Sequence, residues 1–309
     1  MNLPHRINDF PLGLTPLELA ERISSHREIL EEKLQLHGAL LFRGARVASA
    51  EDFQTVVTAL TPELLAYTGG GSPRSKVQGR IYTSTEYVGT VHIPLHCEMS
   101  YTPIIPSRIW FFCAKNAQSG GATPLGYLAE IGEKLPLEIA DGFREKGVSY
   151  TTFMNHGVGF GKSWQQTYET EDRDEVSALL DDEQGLVYEW KTDGLFVSRT
   201  QPSHRRHSVT GENLWYNQAV NWHPAHLGMA YFDKLSKVFG EPENFPKMAW
   251  FGDGTPIPPE DILKIDEVSR NCESVFVWED GDVLLVDNER VAHGRHAFEG
   301  ERRVLVAMA

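Results

Sequence analysis

LHCEMSYTPIIPSRIWFFCAKNAQSGGATP (residues 95–124) and DNERVAHGRHAFEGERRVLVAMA (residues 287–309) are the stretches whose reading decides both fold and chemistry. The first brings His96, Glu98 and Thr123; the second brings His293 and the adjacent pair Arg302 and Arg303. Two neutral imidazoles and one carboxylate are the donor set of an open-sided ferrous site.

An H-x-E triplet is weak evidence alone, because a chain with 12 His and 43 acidic residues in 309 meets such a triplet by chance. The chain carries its own control in His26-Arg27-Glu28, inside TPLELAERISSHREILEEKLQLHG (residues 15–38), which reads as helix. Residues two apart on a helix point about 200° away from each other and cannot share a metal. His96-Cys97-Glu98 follows VHIPL, where a proline and β-branched residues favour an extended chain. There i and i+2 share a face, so His96 and Glu98 can chelate while Cys97 turns away.

The length suits one large domain or two small ones, and without repeats, low-complexity tracts or a Pro/Ser-rich linker a single domain over 1–309 is expected. A net charge of −14 argues against nucleic acid and anionic membrane surfaces as partners. Three cysteines without paired spacing suggest a reducing compartment. The start lacks an apolar signal core and no run approaches the roughly 20 residues of a membrane span, so a soluble, cytoplasmic protein is expected.

Thr15-Pro16-Leu17-Glu18 is a capping box with proline at the first helical position, and Gly38 can end the helix. ALLFRG (39–44) reads as a buried strand, and Ser49 with Asp52 caps a second helix to about Leu60. These elements, residues 1–65, should pack on a β core. GGGSPRSK (69–76) lacks the phosphate-binding pattern and is either a mobile surface loop or a lid. From Val77 short strands dominate, with helical insertions expected at about 130–190 and 224–271, including a solvated acidic helix in 169–185. Many short strands with peripheral helices predict a mainly β, double-sheet fold.

Further features align with the dyad. Gly120-Gly121 and Thr123 follow Glu98, and Arg302 or Arg303 follows His293 by nine or ten residues. The whole pattern, H-x-E, GGxTP, then DN…HGR…F-x-G-x-RR, resembles the taurine-dioxygenase/clavaminate-synthase-like (TauD/TfdA) branch of the Fe(II)/2-oxoglutarate-dependent oxygenases. Within it, IPLHCEMSY, LWYNQA, GDGTPIP and the 287–309 stretch look most like syringomycin-type amino-acid β-hydroxylases. The resemblance runs from about Arg80 to the C-terminus and implies a double-stranded β-helix (jelly-roll) core. It implies His96, Glu98 and His293 as iron ligands, with 2-oxoglutarate and O2 as cosubstrates. Thr123 and one of Arg302 and Arg303 would hold the distal carboxylate, since a planar guanidinium binds carboxylates bidentately. On a strand the two arginines alternate, so only one can face the site, and the spacing allows either.

Some members carry a second arginine four residues after the first, but Val306 and Ala307 stand there. The cosubstrate's other carboxylate needs a different partner; Arg295 is a candidate, with a surface role as its alternative. Halogenating relatives replace the carboxylate ligand by a small residue, so Glu98 favours hydroxylation, leaving desaturation or cyclisation open.

The implied reaction oxidises an amino-acid-type substrate, free or bound to a carrier protein, in specialised (antibiotic-type) metabolism, with 2-oxoglutarate going to succinate. Asn217 in LWYNQAVNW is a candidate substrate contact, or part of the core. His92, His223 and His226 are read first as structural, and His293 with His296 lacks the further ligands of a closed zinc site. The basic run SHRRH (203–207) is either a solvated loop or a patch for an acidic partner. Two other classes compete: a cupin-type metalloenzyme without 2-oxoglutarate, for which the H-x-H pair is missing, and a non-catalytic scaffold, against which the intact His96, Glu98, His293 and Thr123 argue.

Overall fold

The computed structural model describes residues 3–67, 74–159 and 161–309. Most of the glycine-rich loop expectation, residues 69–73, falls outside these. The fold is built in layers whose order follows from side-chain alternation along the strands.

A seven-stranded sheet has the order His5–Arg6, Ala39–Phe42, Val283–Asp287, Arg108–Lys115, Arg303–Met308, Ile81–Thr83, Lys76–Gln78. Its central strands are apolar on both faces, and alternate residues go to different cores. Leu40, Phe42, Trp110, Phe112, Leu285 and Leu305 pack against the N-terminal helices through Leu19, Ile23 and Phe53. Leu41, Ile109, Phe111, Leu284, Val304 and Val306 point the other way, onto Leu125, Val291 and Met99 of the second layer. That layer is a three-stranded sheet with Val291–Arg295 between Ile93–His96 and Leu125–Tyr127. Together with the sheet it faces, it makes the jelly-roll core.

The N-terminal reading holds in detail with one correction. Thr15 and Ser49 both form capping boxes, with Glu18 and Asp52, and Gly38 closes its helix at φ 69°. The single helix expected over 15–37 is two, Pro16–Ser25 and Arg27–His37, because His26 leaves helical geometry at φ −111°, ψ 21°. His26 Nδ1 bonds Arg22 O locally, so the control triplet makes no metal site.

The insertions also contain strands, as the sequence of 149–157 and 186–197 leads one to expect. Strands Val148–Asn155, Leu186–Trp190, Gly194–Gln201 and Lys247–Phe251 pair into a separate four-stranded antiparallel sheet. Helices Leu128–Lys134, Leu137–Lys146, Arg173–Asp181 and Pro259–Asn271 surround it and the second layer. The acidic stretch does form a helix, capped by Asp172. Among the described residues no helix is long and apolar enough to cross a membrane.

Candidate metal site

The site forms where Ile93–His96 and Val291–Arg295 run antiparallel, with His96 and His293 as Cα partners. The register shifts just beyond His293, and Gly294 permits this: a Cβ there would lie 2.7 Å from Ile93 O. The strand ends at His96, so Glu98 stands in the following turn. Asn288, fully buried, fixes that turn. It accepts from Glu98 N at 2.8 Å and donates to Glu98 O at 3.1 Å and Pro106 O at 2.7 Å. Cys97 is buried on the opposite side, near Val291 O.

One donor atom each from His96, Glu98 and His293 lies within 4.8 Å of the others. Pro94 O can only accept, so at 2.9 Å His96 Nδ1 carries the proton and Nε2 keeps its lone pair. Burial drives both imidazoles below their usual range, His293 well below, and the nearby His96 and Arg74 push His293 further. His293 is therefore neutral and makes no ion pair with Glu98, although Nε2 lies 3.8 Å from Glu98 Oε2. A carboxylate and two neutral imidazoles converging on one point match what a small divalent cation requires.

Beside this cluster is a small cavity, about 30 Å³, lined by Arg74, Thr85, His96, Thr123, His293 and Arg302. Arg302 is half-buried; its Nε donates to Gly121 O at 2.9 Å and its Nη2 to Thr123 Oγ1 at 3.3 Å. Trp278 Nε1 donates to the same oxygen at 3.0 Å, which leaves the Thr123 hydroxyl proton to point elsewhere. Burial and the charge of Arg295 push Arg302 down to about 10, still cationic at neutral pH. Gly120, at φ 70°, turns this segment against the Ala297 carbonyl, which a Cβ would meet at 2.2 Å. Arg303 is exposed, so of the two arginines only Arg302 faces the cavity.

A larger cavity, about 480 Å³, shares His96, Ile93 and Thr85 with the small one. Its other lining includes Tyr101, Gln218, Asn221, Trp222, Glu86 and Lys247. Lys247 lies over the Trp222 ring at 4.3 Å, and burial lowers it to about 8.

Two expectations are corrected. Arg295 spends its Nη atoms on four backbone carbonyls, Thr85, Tyr87, Val88 and Val91, at 2.9–3.1 Å. It ties down the 85–91 segment and has no Nη donor left for a carboxylate. Asn217 bonds Ser203 O and Ala219 N, both at 3.1 Å, and does not line the large cavity; Gln218 and Asn221 do.

Within the basic run Arg205 pairs with Glu289 at 3.0 Å and His207 is buried against Asp287, while Arg206 is exposed. His296 pairs with Glu273 at 2.7 Å, apart from the metal cluster. The residue unforeseen in the sequence is Arg74, whose Nη2 meets Glu98 Oε2 at 2.5 Å. Nothing in its glycine-rich surroundings signals that long-range contact.

The profile of the "Taurine catabolism dioxygenase TauD, TfdA family" matches residues 8–308. Dapdiamide synthesis protein DdaC of Enterobacter agglomerans is 35% identical over 282 residues, covering 91% of this chain and 83% of that protein. A clavaminate synthase-like protein of Arabidopsis thaliana is 32% identical over 301 residues, 93% of this chain and 86% of that one. PvcB of Pseudomonas aeruginosa shares the fold at a TM-score of 0.52 and 16% identity, over 99% of this chain and 89% of PvcB. A second PvcB structure, described as an Fe, α-ketoglutarate-dependent oxygenase from an isonitrile synthetic pathway, gives 0.50 at 17%, over 96% and 81%.

Proposed function

The chain belongs to the TauD/TfdA dioxygenase family, and from that premise we propose that it hydroxylates an unactivated C–H bond of an amino-acid-type substrate at a site held by His96, Glu98 and His293. It is an Fe(II)/2-oxoglutarate-dependent dioxygenase, with 2-oxoglutarate and O2 as cosubstrates. The observation that carries the site reading is the convergence of three lone-pair donors between two cavities that both reach His96.

When bound, the metal with 2-oxoglutarate and O2 supplies the oxidising power that puts oxygen into the C–H bond and yields succinate and CO2. The chain's own work is positioning. His96 keeps Nε2 free of its proton, His293 is held neutral by burial, and Asn288 holds Glu98 beside them through the backbone. Arg302 and the Thr123 hydroxyl would receive the distal carboxylate at the end of the small cavity. The large cavity, which reaches His96, would hold the substrate beside the metal-binding residues. Among its charged groups are one carboxylate, Glu86, and one ammonium, Lys247, in a lining that includes Ile93, Pro94, Tyr101 and Trp222. That pairing suits a zwitterionic or amide-linked amino acid, free or tethered to a carrier protein. Similarity to a protein named for dapdiamide synthesis points the same way.

The test is succinate formation from 2-oxoglutarate with Fe(II) and O2 across a panel of free and carrier-bound L-amino acids, followed by product mass. A substrate-dependent rise in succinate with gain of one oxygen atom is expected. Loss of two hydrogens instead would identify desaturation. No succinate with any panel member, from protein shown to bind iron, would sink the proposal.

A further inference from the structure

Arg74 reaches the metal cluster from just before the Lys76–Gln78 strand, and its bonding there is unfinished. Its side chain is 3% exposed and lies over the Tyr67 ring at 4.7 Å. Nη2 holds Glu98 Oε2, yet Nε and Nη1 are buried with no hydrogen-bond partner among the described residues. Buried N–H groups of a guanidinium left unpaired are costly, so the arrangement calls for a second acceptor.

Glu98 Oε2 is also the oxygen facing His293 Nε2. A cation seated by the three candidate ligands would thus meet the guanidinium at one carboxylate oxygen. One carboxylate would then be shared by two positive groups, so a second anion in the adjoining cavity would be stabilised by both. The cavity Arg74 lines is the one containing Thr123 and Arg302, and its 30 Å³ hold little more than a water. A 2-oxo acid enters only if a lining side chain yields. Val306 and Ala307, four residues after Arg302 and Arg303, are fully buried and apolar.

We propose that Arg74 couples metal loading to 2-oxoglutarate loading: its guanidinium holds Glu98 while the site is empty and turns to the carboxylate beside the oxo group when both are bound. This rests on the iron-site reading above. Arg302 keeps the distal carboxylate, so the two arginines divide the dicarboxylate between them.

The experiment is Mn(II) binding to the metal-free full chain, followed by electron paramagnetic resonance, with and without 2-oxoglutarate. In the unsubstituted protein 2-oxoglutarate should tighten Mn(II) binding about tenfold or more. Arg74→Met should bind Mn(II) alone at least as tightly and lose most of that tightening, while Arg74→Lys keeps part of it. Pyruvate, which lacks the distal carboxylate, should give a smaller coupling that Arg74→Met abolishes and Arg302→Ala leaves in place.

Unchanged coupling in a folded Arg74→Met protein overturns the proposal. So does weaker Mn(II) binding by that variant without 2-oxoglutarate, since Arg74 would then support the metal directly. Should Arg74→Met not fold, Arg74→Gln and Arg74→Lys carry the same comparison. Parent protein that binds Mn(II) no better than His96→Ala overturns the iron-site reading itself, and this one with it.

Discussion

His96 and His293, almost two hundred residues apart, are direct cross-strand partners with ring centroids 4.5 Å apart. Burial keeps both imidazoles neutral, so a cation joining them would meet no charge repulsion from the pair. His96→Ala and His293→Ala should each cut succinate formation on the order of 100-fold or more. The melting temperature of the metal-free protein should stay close to the parent value. Substantial turnover in either variant would remove that residue from the ligand set.

Glu98→Ala should behave differently from the histidine variants, because it leaves Arg74 as a buried charge without its partner. Breaking one half of a buried ion pair costs about 3–5 kcal/mol. Urea unfolding of the metal-free protein should show this loss for Glu98→Ala, and the double variant with Arg74→Met should recover part of it. Equal stabilities for Glu98→Ala and parent would mean that the buried pair contributes nothing.

Arg302→Ala removes the cation at the Thr123 end of the small cavity, whereas Arg303 points to solvent. A hydrogen bond to a charged group is worth about 1.5–3 kcal/mol, so KM for 2-oxoglutarate should rise roughly 10- to 100-fold for Arg302→Ala. Arg303→Ala should change it little. Similar small effects for both would show that neither arginine clamps the cosubstrate.

His223 is fully buried, and desolvation holds it at about 4, below the usual 6.5. Its neutral form is the folded form, so the unfolded chain takes up the proton first as the medium is acidified. The stability this contributes is present above pH 6.5 and is lost as pH falls from there toward 4. His223→Asn preserves a side-chain acceptor for Ala225 N at the start of the Pro224–Leu227 turn. Melting curves of the metal-free variant should show a shallower decline over that interval than the parent, and parallel curves would refute the assignment.

Where the signal was local, the sequence was readable. The two capping boxes, the apolar strands and the extended run ahead of His96 each follow from neighbours within a few residues. The choice between Arg302 and Arg303 needed the strand's register against Arg108–Lys115, which depends on pairing across the sheet. The role of Arg295 is hidden from the sequence for a related reason: the carbonyls that absorb it belong to residues 85–91, distant in the chain. Arg74 was invisible because a glycine-rich loop has no periodicity to say where one side chain will point.

The Arg303–Met308 strand lies inside the seven-stranded sheet, between Arg108–Lys115 and Ile81–Thr83, not at its edge. Two strands made early in synthesis must therefore wait, unjoined, for one made late, and Arg302 enters its pocket as that strand inserts. Such non-local closure makes folding slow. It also orders the protein's history: a partly synthesised chain holds His96 and Glu98 but neither His293 nor Arg302. It can neither bring His96, Glu98 and His293 together nor complete the Arg302 cavity, so the proposed chemistry cannot begin on an unfinished polypeptide.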